Sequence, residues 1–189
     1  MSKGLSFICV LALLLTSQVC LGQSPTNVSS ESNKPWEEFS LPNGQFVVSL
    51  PEKPKSLAIP LDQKLNGVVV HILGVDKDLE SYAAGYIEFP TPVDDASKSK
   101  AMLDGIAEKE VAKVGGRMLR QADVAINGYS GREVTLEVSD GFWVDRFYLV
   151  GKRVYFVSAF AAKSPADAKE ITKEQNVIIQ RFLESFKLK

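Results

Sequence analysis

Apolar and polar positions change period along this chain, and the changes mark out its elements. Phe46-Val47-Val48-Ser49-Leu50 is a short apolar run halted by Pro51 and Pro54, as a strand would be. Leu57 to Leu61 reads as a second strand, kept to a sheet edge because Pro60 has no N–H to give to a ladder. Val68 to Val75 is a continuous apolar run and reads as a buried strand. Tyr82 to Phe89 follows as another, ended by Pro90 and Pro92. Between Ser97 and Val114 the spacing becomes three and four. Met102, Leu103, Ile106, Val111 and Val114 share one helix face, with Glu110 as a charged intruder on it. Gly115-Gly116 stops that helix. Gly105 within it costs up to about 1 kcal/mol and is expected to allow close packing on a sheet.

Period two then returns as three antiparallel strands with tight turns at Asn127-Gly128, Asp140-Gly141 and Gly151-Lys152. The first two pairs suit type I′ turns, whose central residues both need positive φ; Gly first suits type II′ at the third. With Asp140-Gly141 central, Val138 faces Trp143, Leu136 faces Asp145 and Val134 faces Phe147. With Gly151-Lys152 central, Trp143 faces Phe160, Asp145 faces Ser158, Phe147 faces Phe156 and Leu149 faces Val154. Both turns therefore place the same apolar, aromatic-rich set on one face. On the other, Arg146 lies across from Thr135 and diagonal to Glu133 and Glu137, which predicts a solvated face; Arg132 and Arg153 read as solubility charges. A second helix is expected from Ala166 to Leu183, capped by Ser164 with Pro165 at its first position. Ile171, Gln175, Val177, Ile178 and Phe182 form its expected inner stripe, and Phe186 and Leu188 anchor the tail.

The N-terminus is patterned differently. Lys3 precedes an apolar segment from Leu5 to Leu15, polar Thr16-Ser17-Gln18 ends it, and Cys20-Leu21-Gly22 presents small residues for cleavage before Gln23. Residues 1–22 therefore read as a signal peptide, shorter in its apolar part than the roughly 20 residues of a membrane span. A competing reading makes Cys20 a lipid-modified anchor, against which stands the bulk of Val19. Residues 23–35 are a polar leader with a glycosylation-type Asn27-Val28-Ser29, and 36–189 form a single domain. The expected location is secreted or periplasmic.

That boundary changes the chemistry. Cys9 and Cys20, the only cysteines, leave with the signal, and the single histidine is His71. The remaining domain has no thiol nucleophile and no cysteine-based metal site, and it must be held by its core. His71 alternates with Val69 and Leu73 and reads as a core histidine rather than a ligand. Asp76, Asp78 and Glu80 lack the Gly and terminal Glu of a calcium loop, and Gly128-Tyr129-Ser130-Gly131 sits at a hairpin, not at a nucleophile elbow. Asp94-Asp95 suits a helix start. A formal charge of −1 leaves no footprint for nucleic acid or anionic membrane. No cofactor and no metal is expected.

Asp145 is the residue that stands out, a carboxylate in an apolar face with Ser158 as its cross-strand donor. Three roles compete for it: a structural polar pair, a ligand site formed by Asp145 and Ser158, and a catalytic acid. An anion site at Arg132, Arg146 and Arg153 is a further alternative.

The order of parts, with G-Y-S-G-R-E at 128–133, R-F-Y-L-V-G-K-R-V-Y-F-V at 146–157 and F-L-E-S-F-K-L at 182–188, resembles the PsbP/DcrB-like superfamily. The resemblance implies an α+β fold, an antiparallel sheet with helices packed on it as an α/β/α sandwich. It also implies a non-enzymatic role, since relatives are mostly accessory subunits, envelope lipoproteins and regulators of protein complexes. The expected function is a binding or accessory domain for an unknown protein or small-molecule partner. The alternatives are a carboxylate enzyme using Asp145 and a cell-envelope protein anchored, and so placed on a membrane, through Cys20. Oligomeric state is not legible.

Overall fold

The computed structural model describes residues 35–60, 68–92, 96–164 and 168–189. The signal segment with Cys9 and Cys20, Asn27 and the leader up to residue 34, Asp94-Asp95 and Pro165 lie outside the described residues.

Strands β1 (Glu37–Phe39), β2 (Phe46–Leu50), β3 (Lys55–Pro60), β4 (Val69–Asp76) and β5 (Glu80–Glu88) come first, then helix α1 (Ala96–Val114). Strands β6 (Arg117–Ile126), β7 (Tyr129–Glu137), β8 (Gly141–Val150) and β9 (Arg153–Ala162) follow, then helix α2 (Lys173–Ser185) and strand β10 (Lys187–Leu188). Seven strands form one antiparallel sheet in the order β3-β4-β5-β9-β8-β7-β6, and β1-β2-β10 form a second, small one. β3 is an edge strand, as its proline requires.

Both faces of the large sheet are covered. On one, Leu103, Ile106 and Ala107 of α1 pack over Val134, Leu136, Phe147 and Phe156. On the other, Ile179, Phe182 and Leu183 of α2, with Phe186, pack over Tyr82, Tyr148, Tyr155 and the buried side of β2. The fold is α+β, with the large sheet sandwiched between α1 and the layer of α2 and the small sheet. α1 ends in a Schellman arrangement, Gly115 at φ 60° and Gly116 N–H donating to Val111 O at 3.3 Å. Arg153 ties the small sheet's hairpin down, donating to Asn43 O at 2.8 Å and to Glu88 while lying over the Tyr86 ring.

Several expectations need correction. The three turns join four strands, not three. The Asn127-Gly128 turn has both residues at positive φ, and Gly151 is at φ 57°. The middle turn, however, is centred on Ser139-Asp140, closed by Val138 N–H donating to Gly141 O at 2.9 Å. Gly141 belongs to the strand because a Cβ there would run into the Phe160 ring and, at 2.5 Å, into Ala161 O. Its need is close approach, not positive φ. Asp145 therefore faces Val134, and Leu136 faces Trp143. The slip shifts partners by two positions, so every side chain keeps its face.

The face predicted as solvated is under α2. Glu133 is buried opposite Arg146, whose Nε donates to it at 2.7 Å and whose guanidinium also reaches Gln180 of α2 at 2.9 Å. Arg132 is likewise buried, on the α1 face, where it pairs with Asp104 and Asp123. α2 starts later than expected, at a Thr172 cap that forms a capping box with Gln175. Its inner stripe is Ile179, Phe182 and Leu183, whereas Val177 and Ile178 are exposed. Among the described residues no side chain comes within 4 Å of a Cβ built at Gly105, so the close packing expected of that glycine is not what is seen there.

Candidate functional site

Strand alternation carries Trp143, Asp145 and Phe147 to the α1 face of β8. The register with β9 is the one read from the Gly151 turn, with Trp143 opposite Phe160, Asp145 opposite Ser158, and Phe147 opposite Phe156. Ser158 Oγ–H donates to Asp145 Oδ1, and the two residues are 1% and 4% exposed. Farther along the same row lie Ala83 and Gly74, so small side chains flank the pair on that side.

Above them lies the charged intruder of α1. Leu103, Ile106, Ala107 and Glu110 recur at helical spacing and are all buried, with Glu110 5% exposed. One turn on, Lys113 Nζ stands 3.8 Å from Glu110 Oε2 with only 9% of its side chain accessible. Glu110 Oε1 is enclosed without a hydrogen-bond partner among the described residues. Two carboxyl groups, one ammonium and one hydroxyl are thus sealed between α1 and the sheet.

Burial dominates their protonation. The Glu110 carboxyl is pushed up to about 8, first by desolvation and then by the Asp145 charge, with Lys113 pulling the other way. Burial also raises Asp145, to about 6, against the lowering effects of the Ser158 hydrogen bond and of Lys113. With one proton held between the two carboxyls and Lys113 charged, the cluster has no net charge, the arrangement a low-dielectric site favours. Chemically it can hold and release a proton, but every atom of Asp145 and Ser158 that could meet a ligand lies beneath a helix.

The other candidate residues are placed differently. His71 is half-buried on the α2 face and stacks on Tyr86, ring centroids 4.7 Å apart. It stands at the margin of the core rather than inside it. Asp76 accepts from Ser81 Oγ at 2.6 Å, and Glu80 accepts from Tyr82 Oη, so these carboxylates fasten the β4–β5 hairpin. Among the described residues no group of three His, Cys, Asp or Glu side chains gathers as a metal site. Arg132, Arg146 and Arg153 each hold a carboxylate of this chain (Asp104 and Asp123, Glu133, and Glu88). Their guanidinium groups are committed to structure.

Sequence reasoning singled out Glu110 and Asp145 separately and did not join them. It missed Lys113 altogether, although its place three residues after Glu110 is the spacing at which helical charges meet.

An accessible concavity lies elsewhere. An open depression of about 600 Å³ runs beside α2, lined by Asn176, Val177, Gln180, Arg181 and Glu184 with Ser49, Ser185 and Lys187. Val177 is 68% exposed at its rim. Among the described residues no helix is long and apolar enough to cross a membrane.

No family model and no curated protein matches the chain. Among solved structures it is similar to that of cyanobacterial PsbP from Synechocystis, with a TM-score of 0.54 and 11% identity. The match covers 88% of this chain and 98% of that one. The likeness is one of fold, and the fold is PsbP-like.

Proposed function

We propose that this chain is a secreted or periplasmic, non-catalytic binding or accessory domain that works through its surface. The observation that carries the reading is the enclosure of Asp145, the carboxyl on which a carboxylate enzyme would depend, together with Ser158 beside it. A general acid must come within hydrogen-bond reach of its substrate, and α1 stands in the way. The depression beside α2 supports the positive half of the reading, because it offers exposed apolar and charged groups together. The PsbP-like fold is compatible with such a role but does not specify it. The export half rests on the n-region, apolar segment and small-residue site over residues 1–22.

A photoreactive side chain at Val177, in the chain expressed in its native compartment, should give a discrete protein adduct. The same probe at Leu119, on the far sheet edge, should not. Turnover of a substrate that disappears in a folded Asp145→Asn variant would overturn the reading in favour of an enzyme. The mass of the mature N-terminus tests export: a start at Gln23 is expected, and a lipid on Cys20 would make the chain an anchored envelope protein instead.

A further inference from the structure

We infer that the Glu110–Lys113–Asp145–Ser158 cluster is a proton-controlled latch that seats α1 on the sheet and loosens it as the proton is lost. The inference starts from geometry. α1 has its own layer and packs on β7 and β8. Three of the four buried positions on its inner stripe are apolar, and the fourth is Glu110, with one carboxyl oxygen unpartnered in the interior. A helix face completed by an aliphatic residue there would need no proton to stay seated. This one does, because an ionised Glu110 puts a second negative charge beside Asp145 with a single ammonium to share.

The charged groups facing the cluster from each packed element are few. α1 supplies Glu110 and Lys113, and β8 supplies Asp145. β9 supplies only the neutral Ser158. β7 supplies Arg132, which is engaged by Asp104 of α1 and Asp123 of β6. Lys113 is therefore the counter-charge that acts on both carboxyls.

The sign follows from linkage. Both carboxyls bind their proton more tightly in the seated state, Glu110 to about 8 against an ordinary 4.5. The stability they confer is full below the ordinary carboxylate range and is lost as pH rises through the seated-state values, levelling off above about 8. Between about 6 and 8 the pair of carboxyls holds one proton that the opened state lacks, which makes helix opening roughly tenfold more favourable per pH unit. The site deepens nothing in the proposed surface role; it is a separate device of the α1 layer.

Hydrogen–deuterium exchange of the full chain between pH 5.5 and 9, corrected for intrinsic exchange, tests it. Protection of residues 98–114 should fall roughly tenfold per pH unit from about 6 to 8 and then flatten, and should stay below that of β5 and β9 throughout, because α1 opens without the sheet. Glu110→Gln, a neutral isostere, should abolish that dependence. If it does not fold, Lys113→Met supplies the reading, because removal of the ammonium should carry the fall to higher pH before it flattens. An infrared band of a buried protonated carboxyl at pH 7 should be present in the parent chain and missing from Glu110→Gln. Protection of α1 equal to that of the strands at every pH, an unaltered slope in Glu110→Gln, or an unmoved levelling-off point in Lys113→Met overturns the latch.

Discussion

At Asp145 the cost of burial and the means of offsetting it sit on neighbouring strands. Ser158 is the only hydrogen-bond donor that the described residues give to its carboxyl, and both are almost fully enclosed. Ser158→Ala should therefore cost about 1–3 kcal/mol, the penalty for stranding a buried acceptor. Urea unfolding at pH 7 measures it, and an unchanged midpoint would show that the carboxyl finds another donor. Gly85 makes the opposite test, since a Cβ there would press on His71 O and lie 2.6 Å from the Phe156 ring. Backbone does not yield, so Gly85→Ala should lose about 1–3 kcal/mol by overpacking. Asp145 was legible in sequence because a period of two makes a misplaced charge visible. Glu110 was legible for the same reason at period 3.6. Their meeting was not, because the rotation and depth at which a helix settles on a sheet depend on all the side chains between them.

Elements show the same division between local and non-local information. The Asn127-Gly128 turn needed only its own two residues to be identified, since both occupy positive φ. Asp140-Gly141 carried an equally strong local signature and was displaced by one residue, because Gly141 answers to Phe160 and Ala161 on another strand. Side-chain faces survived, as a shift of two must allow. For α2, the Pro-containing start at Ser164-Pro165 outweighed a better one at Thr172, where cap and Gln175 satisfy each other's backbone N–H groups. Thr172→Ala should cost about 0.5–2 kcal/mol, read from thermal unfolding, while Ser164→Ala should leave the midpoint where it was. In α1, Gly105 touches nothing that a methyl group would displace. Gly105→Ala should stabilise by about 1 kcal/mol and raise the midpoint by about 2–4 °C. A fall in the midpoint would mean that the glycine has a packing role after all.

In the whole molecule, two apolar layers share a sheet and no buried side chain. The cluster under α1 and the cluster under α2 and the small sheet are built from different residues of the same strands, set on opposite faces by the pleat. Among the described residues the two buried sets do not overlap, and backbones paired on both sides within a seven-stranded ladder have little freedom to relay a small change in volume. Ile106→Val under α1 and Ile179→Val under α2 should each lose about 0.5–1.5 kcal/mol. The double variant should lose their sum to within about 0.5 kcal/mol, as distant sites without shared partners do. A control pair within one layer, Ile179→Val with Phe186→Leu, should depart from additivity, because both residues belong to the aromatic cluster beneath α2. Equilibrium urea unfolding of the four chains in each cycle, followed by near-ultraviolet circular dichroism, gives the coupling energies directly. Coupling across the sheet as large as the coupling within a layer would mean that the strands transmit strain. Additivity across it would leave each face able to respond by itself, α1 to its buried proton and α2 to whatever its open depression receives.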